Sequence, residues 1–162
     1  MKIYIASDHA GVELKSKIVK ALMDSHFLAA VKREVHDLGP QSVDSVDYPD
    51  YADLVCQKIH GFTLIDSESH SSFPNEVGIL VCGSGQGMCM RANKYAHIRA
   101  ALCWSEDSAR LSREHNDANV LCLTSRLVGH DLSLKLVEIF LSTAFAGGRH
   151  LSRVAKVSQP IR

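Results

Sequence analysis

A chain of 162 residues, 46% of them hydrophobic, has the size and apolar content of one packed core, and two large domains are excluded. The 18 Lys and Arg balance 18 Asp and Glu, so no global field draws in nucleic acid or an acidic membrane, and any anion site must be local. No apolar run approaches the roughly 18 residues of a membrane span, and polar Ser7, Asp8 and His9 interrupt the opening too soon for a signal-peptide core, so the expected location is cytoplasmic.

Short β-branched runs alternate with helix-period stretches, the pattern of successive βαβ units and a parallel sheet. Residues 2–6 (KIYIA) read as a first strand, and residues 12–23 as a helix with Leu14, Ile18, Val19 and Leu22 on one face. A weaker strand is predicted at 33–37. Pro49 suits the first turn of a helix whose apolar stripe continues through Tyr51, Val55 and Ile59. Residues 77–82 (VGILVC) form the strongest strand, apolar throughout as a strand covered on both faces must be. A helix at 87–95, a strand at 99–103, a helix at 105–114, a strand at 119–123 and a helix at 130–145 complete the alternation. Ser105, followed by Glu106 and Asp107, makes a sound helix start. Two stretches break the rhythm: a polar excursion at 61–75, read as a loop, and a tail after Gly147 and Gly148 in which a short helix would place Arg149 and Arg153 on one face.

The five cysteines (Cys56, Cys82, Cys89, Cys103, Cys122) are odd in number and form no CxxC pair, so neither a disulfide framework nor a structural zinc site is expected. Four read as buried apolar thiols. Cys82 differs by position, because open α/β sheets bind ligands beyond the carboxyl ends of their strands, at the switch point between neighbouring connections. The two strand ends that would flank that point carry SDHAG and CGSGQG.

In CGSGQG, Gly83, Gly85 and Gly87 with Ser84 and Gln86 lie between a strand and a helix, so several amides can converge on one anion. A dinucleotide is one candidate, although Met88 stands where GxGxxG needs its third glycine and only Glu106, about 20 residues on, supplies the expected acid. The other candidate is an anionic reaction intermediate, with Cys82 as base or nucleophile, its thiol pKa lowered by the facing helix N-terminus. Asp8 and His9 add a carboxylate and an imidazole, with helix capping as the alternative role for Asp8. His115 is placed in the connection before the fifth strand, where Asn116, Asp117 and Asn119 are equally turn formers.

SDHAG, DYPDYA at 47–52, ILVCGSGQGMCMRANK at 79–94, SREHNDANVL at 112–121, SRLVG at 125–129 and GGRH at 147–150 together resemble the type B ribose-5-phosphate isomerases. That family also holds allose-6-phosphate isomerases and galactose-6-phosphate isomerase subunits. The resemblance spans nearly the whole chain. It implies a three-layer α/β/α sandwich with a five-stranded parallel Rossmann-like sheet, ordered 2-1-3-5-4, although 2-1-3-4-5 would keep the same switch point, over residues 1–162 with a C-terminal arm from about 147. It implies an aldose-ketose isomerase interconverting ribose 5-phosphate and ribulose 5-phosphate through a cis-enediolate, the alternative being a six-carbon allose or galactose 6-phosphate, with no metal or organic cofactor, as a homodimer or pair of dimers whose sites are shared between subunits. Cys82 matches the base, Ser84 the hydroxyl beside the anion hole of Gly83, Ser84, Gly85, Gln86 and Gly87, and His115 the ring-opening acid-base. Asp8 and Tyr48 match positions that hold substrate hydroxyls, and Asn116 a contact to the open-chain sugar. His9, Arg126, Arg149 and Arg153 match the phosphate site, where guanidinium forks suit phosphate oxygens. The resemblance leaves His150 without a role. The excursion at 61–75 is longer than expected for the family, and the rival reading from another class is a nucleotide-binding module without catalysis.

Overall fold

The computed structural model describes residues 1–60 and 73–159. Five strands, β1 (Lys2–Ser7), β2 (Glu34–Asp37), β3 (Glu76–Cys82), β4 (Ala100–Leu102) and β5 (Val120–Thr124), form one parallel sheet in the order β2-β1-β3-β5-β4. The helices are α1 (Val12–Met23), α2 (Tyr48–Cys56), α3 (Gln86–Ala92), α4 (Glu106–Asn116), α5 (His130–Ser142) and α6 (Leu151–Val157). Alternation along the strands sorts the core into two layers. Ile3, Ile5, Val77, Ile79, Val81, Leu121 and Leu123 pack on the side of α1, α4 and α5, while Tyr4, Ala6, Leu80, Cys82, Val120 and Cys122 pack on the side of α2 and α3. Burial of each such aliphatic side chain contributes about 1.5–3 kcal/mol. The result is the three-layer α/β/α sandwich expected from the sequence. Among the described residues no helix is long and apolar enough to cross a membrane.

The predicted elements are all present, and their ends move for identifiable reasons. α5 stops at Ser142 rather than continuing to Phe145, because Thr143 turns extended and its carbonyl accepts from Arg113 Nε at 3.2 Å. α3 stops at Ala92, three residues early. There the Asn93 side chain pairs with both backbone groups of Ala100, at 2.9 Å each, and so extends the edge of β4. α2 ends at Cys56, leaving Ile59 buried just beyond it. α4 runs longer than expected, so His115 and Asn116 close a helix instead of lying in a connection, and Asp117 ends it in the left-handed region at φ 46°. The excursion at 61–75 falls mostly outside the described residues.

Of the four cysteines expected to be buried, Cys56, Cys103 and Cys122 are, whereas Cys89 on α3 is only half-buried, and the three buried thiols carry a consequence for stability. Burial pushes Cys103 up to about 11 and Cys56 up to about 12, and raises Cys122 well above its ordinary value. In the unfolded chain these thiols ionise near about 8.5. Above that pH the unfolded state therefore binds fewer protons than the folded state, so stability falls as pH rises, by on the order of 1 kcal/mol per thiol per pH unit. Urea denaturation between pH 8 and 10 should show a declining midpoint, and a flat midpoint would contradict buried, protonated thiols.

Candidate active site

The carboxyl ends of β1 and β3 meet as the switch-point rule requires, since β2 and β5 lie on opposite sides of that pair. Cys82 ends β3 with its side chain 4% exposed, and the Gly85 amide donates to its Sγ at 3.0 Å. This geometry needs Gly85 at φ 77°, a conformation that disfavours side chains, and a Cβ there would collide with Leu102 Cδ1. The loop is pinned from β5: Thr124 Oγ1 donates to the Gly83 carbonyl at 2.7 Å, and the Ser125 amide donates to the Cys82 carbonyl at 3.0 Å. Within the loop the Gln86 amide donates to Ser84 Oγ at 3.3 Å, and Ser84 itself is exposed.

Four other expected site residues border this loop. Asp8 is held by its amide on the Val81 carbonyl at 3.0 Å. Its Oδ1 caps the Gly11 amide at 2.9 Å, and its Oδ2 lies 3.4 Å from the Gly83 amide. The capping role and the place in the cleft are thus both real. A Cβ built on Gly87 would stand 2.7 Å from Tyr48 Cζ, and one on Gly83 would stand 3.3 Å from Arg126 Cζ, so both side chains close over the glycines. His9 follows Asp8 in a short 3-10 turn, and its Nδ1 is buried with no hydrogen-bond partner among the described residues.

The expected lowering of the Cys82 thiol pKa is not what the structure has. Burial raises it, the amides of Met88, Gly85 and Ser84 pull it down, the Asp8 carboxylate pushes it up again, and the net direction is upward. α3, with seven residues, is too short to supply a full helix dipole against this desolvation. Glu106, considered as a ribose-binding acid, is exposed as the first residue of α4. Among the described residues no group of three or more His, Cys, Asp or Glu is placed to hold a metal ion.

The remaining expected residues form a second cluster elsewhere. α4 starts beyond the carboxyl end of β4 and returns to the opposite end of the sheet, where the Gly78 amide donates to the Asn119 carbonyl at 2.9 Å. From Gly78 to Cys82 the strand rises about 13 Å, so His115 and Asn116 sit at the far end from the thiol. Arg149 and Arg153 join them. The Ala146 amide bonds the Glu114 carbonyl at 3.0 Å, Arg153 Nη1 donates to the Arg149 carbonyl at 3.1 Å, and the rings of His115 and His150 stack at 4.4 Å and 9°. Beneath this cluster Asp117 binds two buried arginines, Arg113 and Arg99, each at 2.8 Å. Sequence reading missed Thr124 and both arginines, and gave Asp117 only the turn-forming role that it also has. Only the Arg113 and Asp117 pair, four apart across the end of α4, left a signal that could have been read.

A parallel sheet whose switch point presents an amide loop, a buried thiol and a carboxylate is that of an α/β enzyme for small anionic molecules. The Ribose/Galactose Isomerase family model matches residues 3–157. A probable ribose-5-phosphate isomerase B of Mycoplasma pneumoniae is 47% identical over 156 residues, covering 96% of this chain and 91% of that one. The ribose-5-phosphate isomerase B of Escherichia coli is 39% identical over 157 residues, covering 97% and 94%. Among solved structures, the Thermotoga maritima ribose 5-phosphate isomerase superimposes with a TM-score of 0.81 at 47% identity, with 97% of each chain covered. The Mycoplasma genitalium enzyme with bound ribulose-5-phosphate gives 0.81 at 43% identity, with 97% of this chain and 93% of that one covered. The chain belongs to the ribose/galactose isomerase family and is an isomerase by membership.

Proposed function

We propose that the protein interconverts ribose 5-phosphate and ribulose 5-phosphate, with Cys82 as the base. The observation that carries this reading is the Cys82 Sγ seated against the Gly85 amide within the switch-point loop. The relatives named above, one with ribulose-5-phosphate bound, support the five-carbon substrate. His115 opens the furanose ring by protonating the ring oxygen as the O1 hydroxyl loses its proton. The Cys82 thiolate then takes the proton from C2, and the electron pair moves through C1 to leave a cis-enediolate with negative charge on O1. The amides from Gly83 to Gly87 stabilise that charge. Return of the proton to C1, with the O2 hydroxyl proton passing to O1, completes the ketose. Asp8 and Tyr48 orient substrate hydroxyls, Ser84 borders the enediolate site and Asn116 contacts the open chain. His9, whose orphaned Nδ1 suits a ligand oxygen, joins Arg126, Arg149 and Arg153 on the phosphate.

One chain cannot assemble this set, because Cys82 and His115 lie at opposite ends of its sheet. A homodimer would supply His115, Asn116 and the arm from about residue 147 to the cleft of the second copy. The test is conversion of ribose 5-phosphate with EDTA present, with allose 6-phosphate and galactose 6-phosphate in parallel. Mixing two inactive variants, Cys82→Ala and His115→Ala, after reversible dissociation should restore about a quarter of the activity, since half of the reassociated dimers carry one intact site. No recovery from dimers shown to have exchanged would place both residues in one subunit's site. Turnover of a hexose phosphate alone would shift the substrate to six carbons.

A further inference from the structure

The His115 and His150 rings face each other at 4.4 Å with 9° between their planes, a flat stack rather than a chance approach. The fold supports it on both sides. The Ala146 amide bonds the Glu114 carbonyl at 3.0 Å, one residue before His115. Gly147 at φ 64° and Gly148 at φ 53° then turn the chain back so that the His150 amide bonds the Gly147 carbonyl at 3.1 Å. Neither glycine has any atom near a would-be Cβ, so what this turn requires is its backbone conformation, which delivers His150 onto its partner.

We propose that His150 is a positioning residue: its ring, lying flat on that of His115, fixes the plane in which the His115 imidazole meets the sugar. This rests on the reading of His115 as the ring-opening residue. A half-buried imidazole at a helix end can still rotate about two bonds unless something packs on it, and general acid-base transfer depends on holding the nitrogen in line with the oxygen it serves. The charged groups around His150 are Arg149 beside it, Arg153 on α6 and His115 on α4. Glu114, next to His115, is engaged with Arg110 at 2.7 Å. Desolvation, then His115, Arg149 and Arg153, hold His150 below the ordinary histidine range. Two stacked imidazoles repel when both are charged, and a neutral His150 removes that repulsion from the stack. Stacking and turn belong to the same chain, so the pair would travel as a unit into the cleft of a second copy.

The experiment compares wild type, His150→Ala and His150→Phe, the last keeping a flat ring without a titrating nitrogen. His150→Ala should lower kcat about tenfold with little change in KM, and His150→Phe should restore most of it. In NMR spectra of the folded dimers, the ring-proton signals of His115 should lose their ring-current displacement in His150→Ala and keep it in His150→Phe. Unchanged kcat in His150→Ala would overturn the proposal, as would a His150→Phe variant as inactive as His115→Ala, which would make His150 the acid-base itself. A fully active His115→Ala variant would instead reject the role of His115. The NMR comparison would still report whether the stack forms, so the two failures are told apart.

Discussion

Cys82→Ala is expected to lower turnover of ribose 5-phosphate by at least about 10³-fold while the protein remains folded. The substitution removes one buried sulfur and its bond to the Gly85 amide, which costs on the order of 1 kcal/mol and lowers the melting temperature by only a few degrees. Circular dichroism melting beside the isomerase assay separates the two effects. Activity above a tenth of wild type would remove Cys82 from the role of base. The pH profile gives a second reading of the same group. Because burial and Asp8 hold the thiol up, the thiolate fraction in the free enzyme is small at neutral pH and grows as pH rises, so kcat/KM should climb on the alkaline side. Asp8→Asn deletes a negative charge that opposes ionisation. Whatever it does to the amplitude, it should move that rising limb to lower pH, and a limb that stays in place would mean that another group controls it.

The upward shift at Cys82 shows what a sequence can and cannot disclose. Three alternating glycines after an unbroken apolar strand place the thiol correctly, because β-branched runs and glycine turns are local signals. The balance between desolvation and amide donation is not local. It depends on how deeply β3 is sandwiched between layers and on α3 being only seven residues long. The order 2-1-3-5-4 comes from the resemblance and not from periodicity, which identifies strands but not their neighbours, and the pairing of β3 with β5 agrees with it. Lys15 is a plain case of a residue that sequence misplaces. On a helix it reads as solvated charge, yet it is fully buried and its Nζ lies 2.6 Å from each Asp37 carboxylate oxygen, joining α1 to the end of β2. The two clusters of site residues follow the same logic. Motif order along the chain carries the resemblance, which implies sites shared between subunits, and the return path of α4 gives the physical ground for it: one chain holds the two clusters at opposite ends.

Asp117→Asn is expected to cost about 3–5 kcal/mol of stability and to slow turnover before it unfolds the protein. Asp117 is 2% exposed, and its two carboxylate oxygens separate two guanidiniums, Arg113 Nη1 on Oδ1 and Arg99 Nη2 on Oδ2, both at 2.8 Å. Those arginines also donate to carbonyls, Arg113 to Ala118 at 2.6 Å and Arg99 to Asp117 itself at 2.9 Å, so hydrogen bonding alone would survive much of the change. Charge would not, because burial disfavours both cations and the carboxylate they share offsets that penalty. Asn adopts the left-handed conformation at φ 46° readily, so the variant tests charge rather than backbone strain. For a chain of this size the loss should lower the melting temperature by roughly 10 °C. The clasp ties the last turn of α4 to the start of β4, and that turn carries His115 and Asn116. Below the melting range, therefore, kcat should fall while Cys82 reacts with a small thiol reagent at the wild-type rate, since the thiol lies at the other end of the sheet. Wild-type stability in Asp117→Asn would show that the carboxylate contributes no net stabilisation to the two arginines. An altered Cys82 rate would show that the variant disturbs the whole fold rather than the end of one helix.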